Sequence, residues 1–403
     1  MHVLLFDDPA IRPHLLPFTF TRPVAALRCG ILTLAEKWQH RLGTAAVGYL
    51  TQPHLQAKFP AGDVRGPVLV INGAVCPDDL LTRQVQALAP GQALYCDEVL
   101  VAAHLADASQ VAELIQDGLA AARQVAEPVT VLSRPWHLFL HNGAEIRRDF
   151  ALLTQGRTSQ PVGDVHTIVY GAENIFIEPG VKIRAAILNA EDGPIYLGKN
   201  SQVHEGAILR GPLALCEGSH INVGAKMRGD NTVGPFSKVG GEVGNSILLG
   251  YANKGHDGYL GNSVIGEWCN LGADTNTSNL KNNYASVKVW SHAAGRFVNT
   301  GQTFCGLLMG DHSKCGINTM FNTGTVVGVG ANIFGAGFPR QFIPSFSWGG
   351  AAGFETFKLD KVNEVAERVM ARRGLPYDTV EQGVMRAVFE ETAKDRIWEK
   401  AKA

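Results

Sequence analysis

Apolar residues recur at every sixth position through the middle of the chain. Neither the 3.6-residue period of a helix nor the two-residue alternation of a strand produces this spacing. A triangular coil does, because each of three short strands per turn points one aliphatic side chain at a common axis. The first run holds the spacing at eight consecutive positions: Leu197, Val203, Leu209, Leu215, Ile221, Met227, Val233 and Val239. An ordinary β-sandwich would not keep one phase for so long, so the pattern predicts a coil of parallel strands.

The residues between these positions fit the same coil. Small residues such as Ser201, Ala207 and Ser219 follow four places after an aliphatic position, where the next face bends. Glycines occupy the predicted corners, which need a positive φ or a close approach of two backbones; they include Gly198, Gly224, Gly234, Gly240, Gly272, Gly316 and Gly328. The spacing breaks over residues 244–290 and returns at Met309, Cys315, Phe321, Val327 and Ile333. Loops that leave the wall of a solenoid commonly carry its sites, so residues 244–290 are the candidate functional segment.

The two ends of the chain follow other patterns. Before residue 160, apolar strands such as Val3–Phe6, Val68–Ile71 and Val129–Leu132 alternate with helical stretches at Ile31–Leu42 and Val111–Val125, which is typical of an α/β domain. After residue 353, valines at helical spacing predict two amphipathic helices that cap the coil or pack on a neighbouring subunit. We therefore expect three parts: an α/β domain at 1–160, the coil at 165–353 and a helical extension at 354–403.

Charge and composition narrow the class of protein. The chain has 403 residues with 36 Lys and Arg against 37 Asp and Glu, which leaves no basic footprint for nucleic acid. The seven cysteines show no metal-binding spacing and are expected to be reduced thiols. The start of the chain lacks the basic segment of a signal peptide, and no run approaches the roughly 18 apolar residues of a membrane helix. We expect a cytoplasmic protein that binds neither nucleic acid nor membranes.

The coil resembles the hexapeptide-repeat family of left-handed parallel β-helices, and its irregular segment carries a recognisable motif. The motif reads Lys-Gly-His256-x-x-Tyr259-Leu-Gly, then Ile-Gly-Glu-x-x-Asn270-x-Gly-Ala273, and then Asn279. This order and spacing resemble the acetyltransferase half of the bifunctional UDP-N-acetylglucosamine pyrophosphorylase/glucosamine-1-phosphate N-acetyltransferases. The resemblance covers residues 165–350 and implies a homotrimer with the site formed between subunits.

The resemblance also implies a role for each matched residue. His256 would be the general base, since imidazole accepts a proton near neutral pH as the sugar amine attacks the thioester. Arg228 would bind the sugar 1-phosphate, and Tyr259, Asn270 and Glu242 would complete the substrate site. Acetyl-CoA, the cosubstrate, would contact Ala273 and Asn279. Taken alone, His256 is better explained as a solvated loop histidine, and Arg228 could equally be a polar corner. Leu280 stands where the family has a tyrosine after Asn279. Lys281 or Lys288 would then supply the lysine that the family places further on.

The first domain is similar to sugar-1-phosphate nucleotidylyltransferases at two places. Thr19-Phe-Thr21-Arg22-Pro resembles their signature, and Val68-Leu-Val-Ile-Asn72-Gly73 resembles the strand that leads to their metal site. Such enzymes position phosphates and Mg²⁺, so the resemblance implies a nucleotide site that includes Thr21, Arg22, Asn72 and Gly73.

Three family features are replaced in this domain. Asp7-Asp8-Pro takes the place of the glycine-rich phosphate loop, Val24 that of a lysine, and Ala74 that of an aspartate. Arg12, Arg22 and Arg28 could supply the missing positive charge, or could be solvated or paired with nearby acids. The metal ligands are unknown; the candidates are Asp7, Asp8 or residues of the segment Trp136, Asn142 and Asp149.

Three functions remain open from the sequence. The preferred one is a bifunctional transferase that acetylates glucosamine 1-phosphate at the coil and transfers a nucleotidyl group to the sugar 1-phosphate in the first domain, for UDP-N-acetylglucosamine and envelope synthesis. The second is a glucose-1-phosphate thymidylyl- or uridylyltransferase whose coil is only a scaffold. The third is a non-catalytic regulatory subunit that binds sugar nucleotides.

Overall fold

The computed structural model describes residues 2–117 and 121–400. By packing, the chain separates into two compact units: the residues up to Leu27 with Leu32–Arg134, and Arg28–Ile31 with Pro135 onward. The fold class predicted from the sequence is confirmed, since an α/β domain, a parallel β-solenoid and C-terminal helices are present. The three-part division at residues 160 and 353 stays a proposal.

The first unit is built on a six-stranded mixed sheet. Its strands lie in the order Gly48–Leu50, His2–Phe6, Val68–Asn72, Val99–Leu105, Gln92–Cys96 and Ala121–Gln124. The first three are parallel. A small separate pair joins Val75–Cys76 to Thr130–Val131. Successive side chains of the strand at residues 2–6 enter different apolar clusters, with Leu5 in one and Leu4 in the other, because strand side chains alternate between the two faces.

Among the described residues, three helices accompany this sheet: α1 (Leu34–Leu42), α2 (Asp79–Gln86) and α3 (Val111–Asp117). Helix α1 begins at a capping box of Thr33 and Glu36 and ends at Gly43, whose φ is 65°. The predicted helix Val111–Val125 is wrong at its end, because Ala121–Gln124 pairs with the sheet as a strand; residues 118–120 lie outside the described residues. Single 3₁₀ turns occupy Arg12–Leu15, Phe18–Phe20, Val24–Ala26, Pro53–Leu55 and Ala108–Gln110.

The second unit is the coil, with three faces of parallel strands. The first face contains Ile175–Ile177, Ile195–Leu197, Leu213–Leu215, Asn231–Val233, Ile247–Leu248, Val264–Ile265, Leu308–Met309, Val326–Val327 and Phe342–Ile343. The second face contains Lys182–Ile183, Gln202–Val203, His220–Ile221, Lys238–Val239, Asn253–Lys254, Asn270–Leu271, Lys314–Cys315, Asn332–Ile333 and Ser347–Gly350, with Gly353–Thr356 added antiparallel. The third face contains Ile168–Tyr170, Ile187–Asn189, Ile208–Arg210, Lys226–Met227, Glu242–Gly244 and Tyr259–Gly261, and the pair Asn276–Thr277 and Met320–Phe321 follows.

The inward rows confirm the six-residue prediction. All eight residues of the first run are at most 1% exposed, and all five of the second are buried. The run breaks because the turn from Met227 to Val243 is shorter than its neighbours. Between the two runs the chain leaves the wall as an antiparallel hairpin of Lys288–Ser291 and Arg296–Asn299.

The corners differ in part from the prediction. A Cβ at Gly240 would lie 2.4 Å from the carbonyl oxygen of Gly255, so close approach explains that glycine. Several positive-φ corners instead carry large rings: Phe236, Tyr251, Trp268 and His312 have φ between 51° and 62°. Each ring stacks on the next along the edge of the coil, with 4.2 Å between the Tyr251 and Trp268 centroids. Stacking on the turns above and below offsets the strain of a left-handed backbone.

In the part of the second unit that the structure describes, four helices follow or flank the coil: α4 (Pro135–Thr154), α5 (Leu359–Ala371), α6 (Thr379–Glu391) and α7 (Ile397–Lys400). The two predicted C-terminal helices are α5 and α6, which bury Val362 and Val388. The ring centroids of Phe389 in α6 and Phe346 in the coil are 4.9 Å apart, so α6 packs on the last turns of its own coil. Short 3₁₀ turns lie at Ala172–Asn174 and Ala393–Asp395. Within the described residues, no helix is long and apolar enough to cross a membrane.

Candidate functional site

His256 lies at the corner where the second face passes into the third. The preceding strand ends at Lys254 and the following one begins at Tyr259, so the imidazole projects from the loop between them and is exposed. A cleft of about 420 Å³ runs beside it, lined also by His204 and Asn222 of earlier turns. The Asn222 side-chain amide donates to the Gly255 carbonyl at 2.7 Å, which ties this corner to an earlier one. An exposed histidine beside a polar cleft is available as a proton acceptor.

Four of the other predicted residues lie along the third face or just beyond it, namely Arg228, Glu242, Tyr259 and Asn279. Lys226, Glu242 and Tyr259 follow one another in register across three turns. Arg228 donates to Glu242 at 2.9 Å, and the Arg228 side chain remains 64% exposed. The Tyr259 hydroxyl accepts from the Asn279 amide at 3.1 Å. The structure therefore brings a guanidinium group, a carboxylate, a phenol and an amide to the face that begins at His256.

Asn270 takes a different place. It lies on the second face, where its side-chain oxygen accepts from Asn253 at 2.8 Å. Both asparagines line a separate cleft of about 490 Å³, together with Lys238, Lys314, Tyr251, Trp268 and residues at the end of α5. Within one chain, Asn270 is thus on another face from Arg228 and Tyr259.

Ala273 and Asn279 lie one turn beyond His256. The Asp274 amide next to Ala273 donates to the Asp257 carbonyl at 3.1 Å, so Ala273 stacks on the His256 corner. Asn279 donates to Asn262 at 2.7 Å as well as to Tyr259. The lysine offered as a substitute contact, Lys281, donates to the Ser286 carbonyl at 3.0 Å inside its own loop, whereas Lys288 is exposed on the hairpin.

The sequence analysis missed two contributors to this corner, Asn222 and Lys254. Asn222 is one of several outward polar residues and has no distinguishing spacing. Lys254 occupies an inward position at the six-residue spacing of Leu248 and Leu260, and it is 1% exposed. A lysine in phase with two leucines is the signal that would have identified it.

In the first unit, the two acidic residues that replace the glycine-rich phosphate loop form hydrogen bonds within the unit. Asp7 accepts from the Val24 amide at 2.7 Å and from the Thr51 hydroxyl at 2.5 Å, and Arg12 lies 3.5 Å away. Burial raises the pKa of the Asp7 carboxyl, although these two hydrogen bonds and Arg12 oppose the rise. Asp8 accepts from the Ala10 amide and from Asn72.

The three predicted arginines are buried, so none is solvated. Arg12 donates to the Thr19 carbonyl at 2.7 Å, and the Thr19 hydroxyl donates back to the Arg12 carbonyl. Arg22 and its neighbour Thr21 are each 5% exposed. Arg28 belongs to the second unit, where it donates to the Ile31 carbonyl.

Asn72 and Gly73 lie at the carboxyl end of a central strand. The Asn72 amide donates to the Leu100 carbonyl at 2.9 Å, and its oxygen accepts from the Ala74 amide at 3.0 Å. The Gly73 amide donates to the Phe6 carbonyl at 2.9 Å. The end of this strand is therefore fixed by its own hydrogen bonds.

The candidate metal ligands do not form a metal site. In the described part of the chain, no group of three or more His, Cys, Asp or Glu side chains is placed to hold an ion. Asn142 accepts from the Gly30 amide at 2.8 Å and from the Thr232 hydroxyl at 3.0 Å, and Asp149 accepts from the Ile31 amide. These side chains hold the segment Arg28–Ile31 within the second unit, and we assign no step to Mg²⁺.

Comparison with known proteins finds sugar nucleotidyltransferases and acetyltransferases. Residues 3–158 match a family model described as sugar nucleotidyl transferase. The chain is 29% identical over 160 residues to a bifunctional sugar-1-phosphate nucleotidylyltransferase/acetyltransferase of Sulfurisphaera tokodaii, across 39% of this chain and 37% of the relative. It is 38% identical over 87 residues to the bifunctional protein GlmU of Methanocaldococcus jannaschii, across 22% of this chain and 21% of the relative. The matched parts thus span less than two fifths of these curated relatives.

Among solved structures, the polysialic acid O-acetyltransferase OatWY matches 48% of this chain and 86% of its own, at 14% identity and a TM-score of 0.25. The sequence and family-model matches confirm the resemblance predicted from the motifs, to sugar nucleotidyltransferases joined to acetyltransferases.

Proposed function

We propose that the coil transfers an acetyl group from acetyl-CoA to the amine of glucosamine 1-phosphate, with His256 as the general base. The supporting observation is the exposed imidazole at a corner that leads into a face bearing Arg228, Glu242, Tyr259 and Asn279. Each of these groups matches one requirement of the reaction, namely proton removal, phosphate binding and binding of hydroxyl or amide groups.

The proposed reaction balances in atoms and charge. The sugar amine attacks the thioester carbonyl, a C–N bond forms, and His256 takes the proton that the nitrogen loses. The C–S bond then breaks, and coenzyme A leaves as a thiolate that recovers a proton from the imidazolium ion or from water. An imidazole can both accept and donate a proton, so one side chain serves both proton transfers.

Arg228 is suited to the sugar phosphate because Glu242 already holds its guanidinium group in one orientation. A guanidinium fork that keeps most of its surface exposed retains donors for a bidentate phosphate contact. We also propose that the site is completed in a homotrimer, since Asn270 lies on another face of its own chain and would reach a sugar only across a subunit boundary.

Release of coenzyme A tests this proposal directly. The full chain is incubated with acetyl-CoA and glucosamine 1-phosphate, and free thiol is followed with a chromogenic disulfide. We expect release that depends on the sugar phosphate. A well-folded protein that releases no thiol over background would exclude the proposal.

A second activity is favoured by the family-model match across residues 3–158. We propose nucleotidyl transfer from a nucleoside triphosphate to the sugar 1-phosphate in the first unit. The test is pyrophosphate release from UTP or dTTP with glucose 1-phosphate or N-acetylglucosamine 1-phosphate. Pyrophosphate without thiol release selects the nucleotidyltransferase with a scaffold coil. Binding of UDP-sugars by calorimetry, with neither activity, selects the regulatory subunit.

A further inference from the structure

A lysine occupies one of the inward positions of the coil. On the second face, Val203, Ile221, Val239 and Lys254 lie in register on consecutive turns. The three aliphatic residues belong to the apolar core, and Lys254 is as deeply buried as they are. Burying an ammonium group is costly unless hydrogen bonds and charges compensate it, so this position calls for a specific partner.

The partners of Lys254 are the backbone carbonyls of the candidate catalytic loop. Its Nζ donates to the His256 carbonyl at 2.6 Å and to the Asp257 carbonyl at 3.3 Å. The charged or titratable groups that act on it are Asp257, Asp274 and Cys315, all of which favour the protonated amine. Burial outweighs them and lowers the pKa of Lys254 to about 8.

The other hydrogen bonds of the loop come from nearby turns, among them the bond from Asn222 to the Gly255 carbonyl. His256 and Asp257 are both exposed, and Gly258 has a φ of 116°, which side-chain-bearing residues rarely adopt. Two backbone amides of adjacent turns also hold it, since Asp274 donates to the Asp257 carbonyl at 3.1 Å and Glu242 to the Gly258 carbonyl at 3.2 Å. The ammonium group of Lys254 adds a contact from the interior of the coil, where it bridges the His256 and Asp257 carbonyls.

We propose that Lys254 is a positioning residue, which holds the His256 loop from within the coil so that the imidazole keeps a fixed orientation toward the sugar amine. This inference rests on the proposed acetyl transfer. It explains why an apolar row carries a lysine at the turn that presents His256.

The test is the substitution Lys254→Met in the full-length chain, because methionine keeps a similar length and removes the donors. A misplaced catalytic group costs rate rather than substrate affinity, so we expect kcat for thiol release to fall about tenfold to hundredfold with KM within about twofold. The melting temperature should stay equal or rise, since replacing a buried charge by an apolar side chain is often neutral or stabilising. Lys254→Gln, whose amide keeps two N–H donors without the charge, should recover part of kcat.

Ile221→Met is the matched control, since it changes the same inward row one turn before Val239. It should leave kcat unchanged. The proposal is overturned if Lys254→Met has the same kcat as wild type. It is also overturned if Lys254→Met and Ile221→Met lose kcat and melting temperature to the same extent.

Hydrogen exchange separates this inference from the proposed function. Peptides that contain the Glu242 and Asp274 amides should exchange about tenfold faster in Lys254→Met than in wild type, because both amides donate to carbonyls of the loop. Unchanged exchange would show that Lys254 does not hold the His256 loop, even if the enzyme is active. If Lys254→Met exchanges faster but the wild-type protein releases no thiol, Lys254 holds the loop and the proposed acetyl transfer is rejected.

Discussion

The corner at His256 and the loop that follows Asp7 use their polar side chains in opposite ways. On the coil, Arg228 and His256 project outward and are exposed. In the first unit, the side chains of Asp7 and Arg12 are buried and bound to the backbone of their own loop. Both regions nevertheless carry the residue types expected of a phosphate-binding transferase.

The difference follows from how each backbone is satisfied. Most strands of the coil pair with the turns before and after them, so fewer outward side chains are needed to satisfy the backbone. The loop from Asp7 to Val24 contains only short 3₁₀ turns, and its buried amides and carbonyls require side-chain partners. Charged residues in a regular solenoid are therefore better candidates for ligand binding than those in a buried irregular loop.

The largest effect that tests this comparison is expected at His256. The substitution His256→Ala should lower kcat for thiol release by about 10²–10⁴, because positioned acid–base catalysis contributes that much. Its melting temperature should match wild type, since the side chain is exposed. His166→Ala, which removes another exposed histidine of the coil, is the control. Undiminished release in His256→Ala would remove this residue from the mechanism.

Arg228→Ala is expected to produce the next largest change. Loss of a charge-assisted contact to phosphate is worth about 1.5–3 kcal/mol, so KM for the sugar phosphate should rise about tenfold to hundredfold. Steady-state kinetics with varied sugar phosphate and saturating acetyl-CoA measures this. A KM that does not change would mean that the pair with Glu242 is only a surface ion pair.

The same residue type in the first unit should affect stability instead. Arg12→Ala should lower the free energy of unfolding by about 1–3 kcal/mol, because it removes a buried partner of both the Asp7 carboxylate and the Thr19 carbonyl. Arg228→Ala should change it by less than about 0.5 kcal/mol, as is usual for an exposed ion pair. Urea unfolding of the two variants makes the comparison. Equal stabilities would break the contrast drawn between the two regions.

The smallest effect is expected at Tyr259. Tyr259→Phe removes the hydroxyl that accepts from Asn279 but keeps the ring, so one neutral hydrogen bond of about 0.5–1.5 kcal/mol is lost. We expect kcat/KM for the sugar phosphate to fall about twofold to tenfold. A fall as large as that in His256→Ala would give the hydroxyl a direct part in proton transfer.

The coil was predictable because its rule is local and repeated. One aliphatic residue in every six identifies the inward row, and the strands of neighbouring turns pair with each other in register. The irregular features were less accessible. The strand Ala121–Gln124 reads as part of a helix until the sheet that it pairs with is known. The hairpin Lys288–Ser291 with Arg296–Asn299 follows no six-residue pattern, although its own strands pair regularly.

The candidate site was predictable in its residues but only partly in its geometry. The motif around His256 identified the corner, and register across turns brought Glu242 and Tyr259 to one face. Sequence spacing did not distinguish the face of Asn270 from that of Tyr259. In the first unit, the closeness of three arginines in sequence indicated positive charge that could bind phosphate. In the fold, Arg12 is buried and donates to the Thr19 carbonyl instead.

The ring stack along the coil edge also gives the protein an optical signature. Tyr251 and Trp268 lie nearly parallel at 4.2 Å, and their neighbours on either side continue the stack. Aromatic chromophores held this close in a fixed chiral array couple their electronic transitions. The near-ultraviolet circular dichroism of the coil thus reports the alignment of its successive turns, and loss of that signal marks the point at which they come apart.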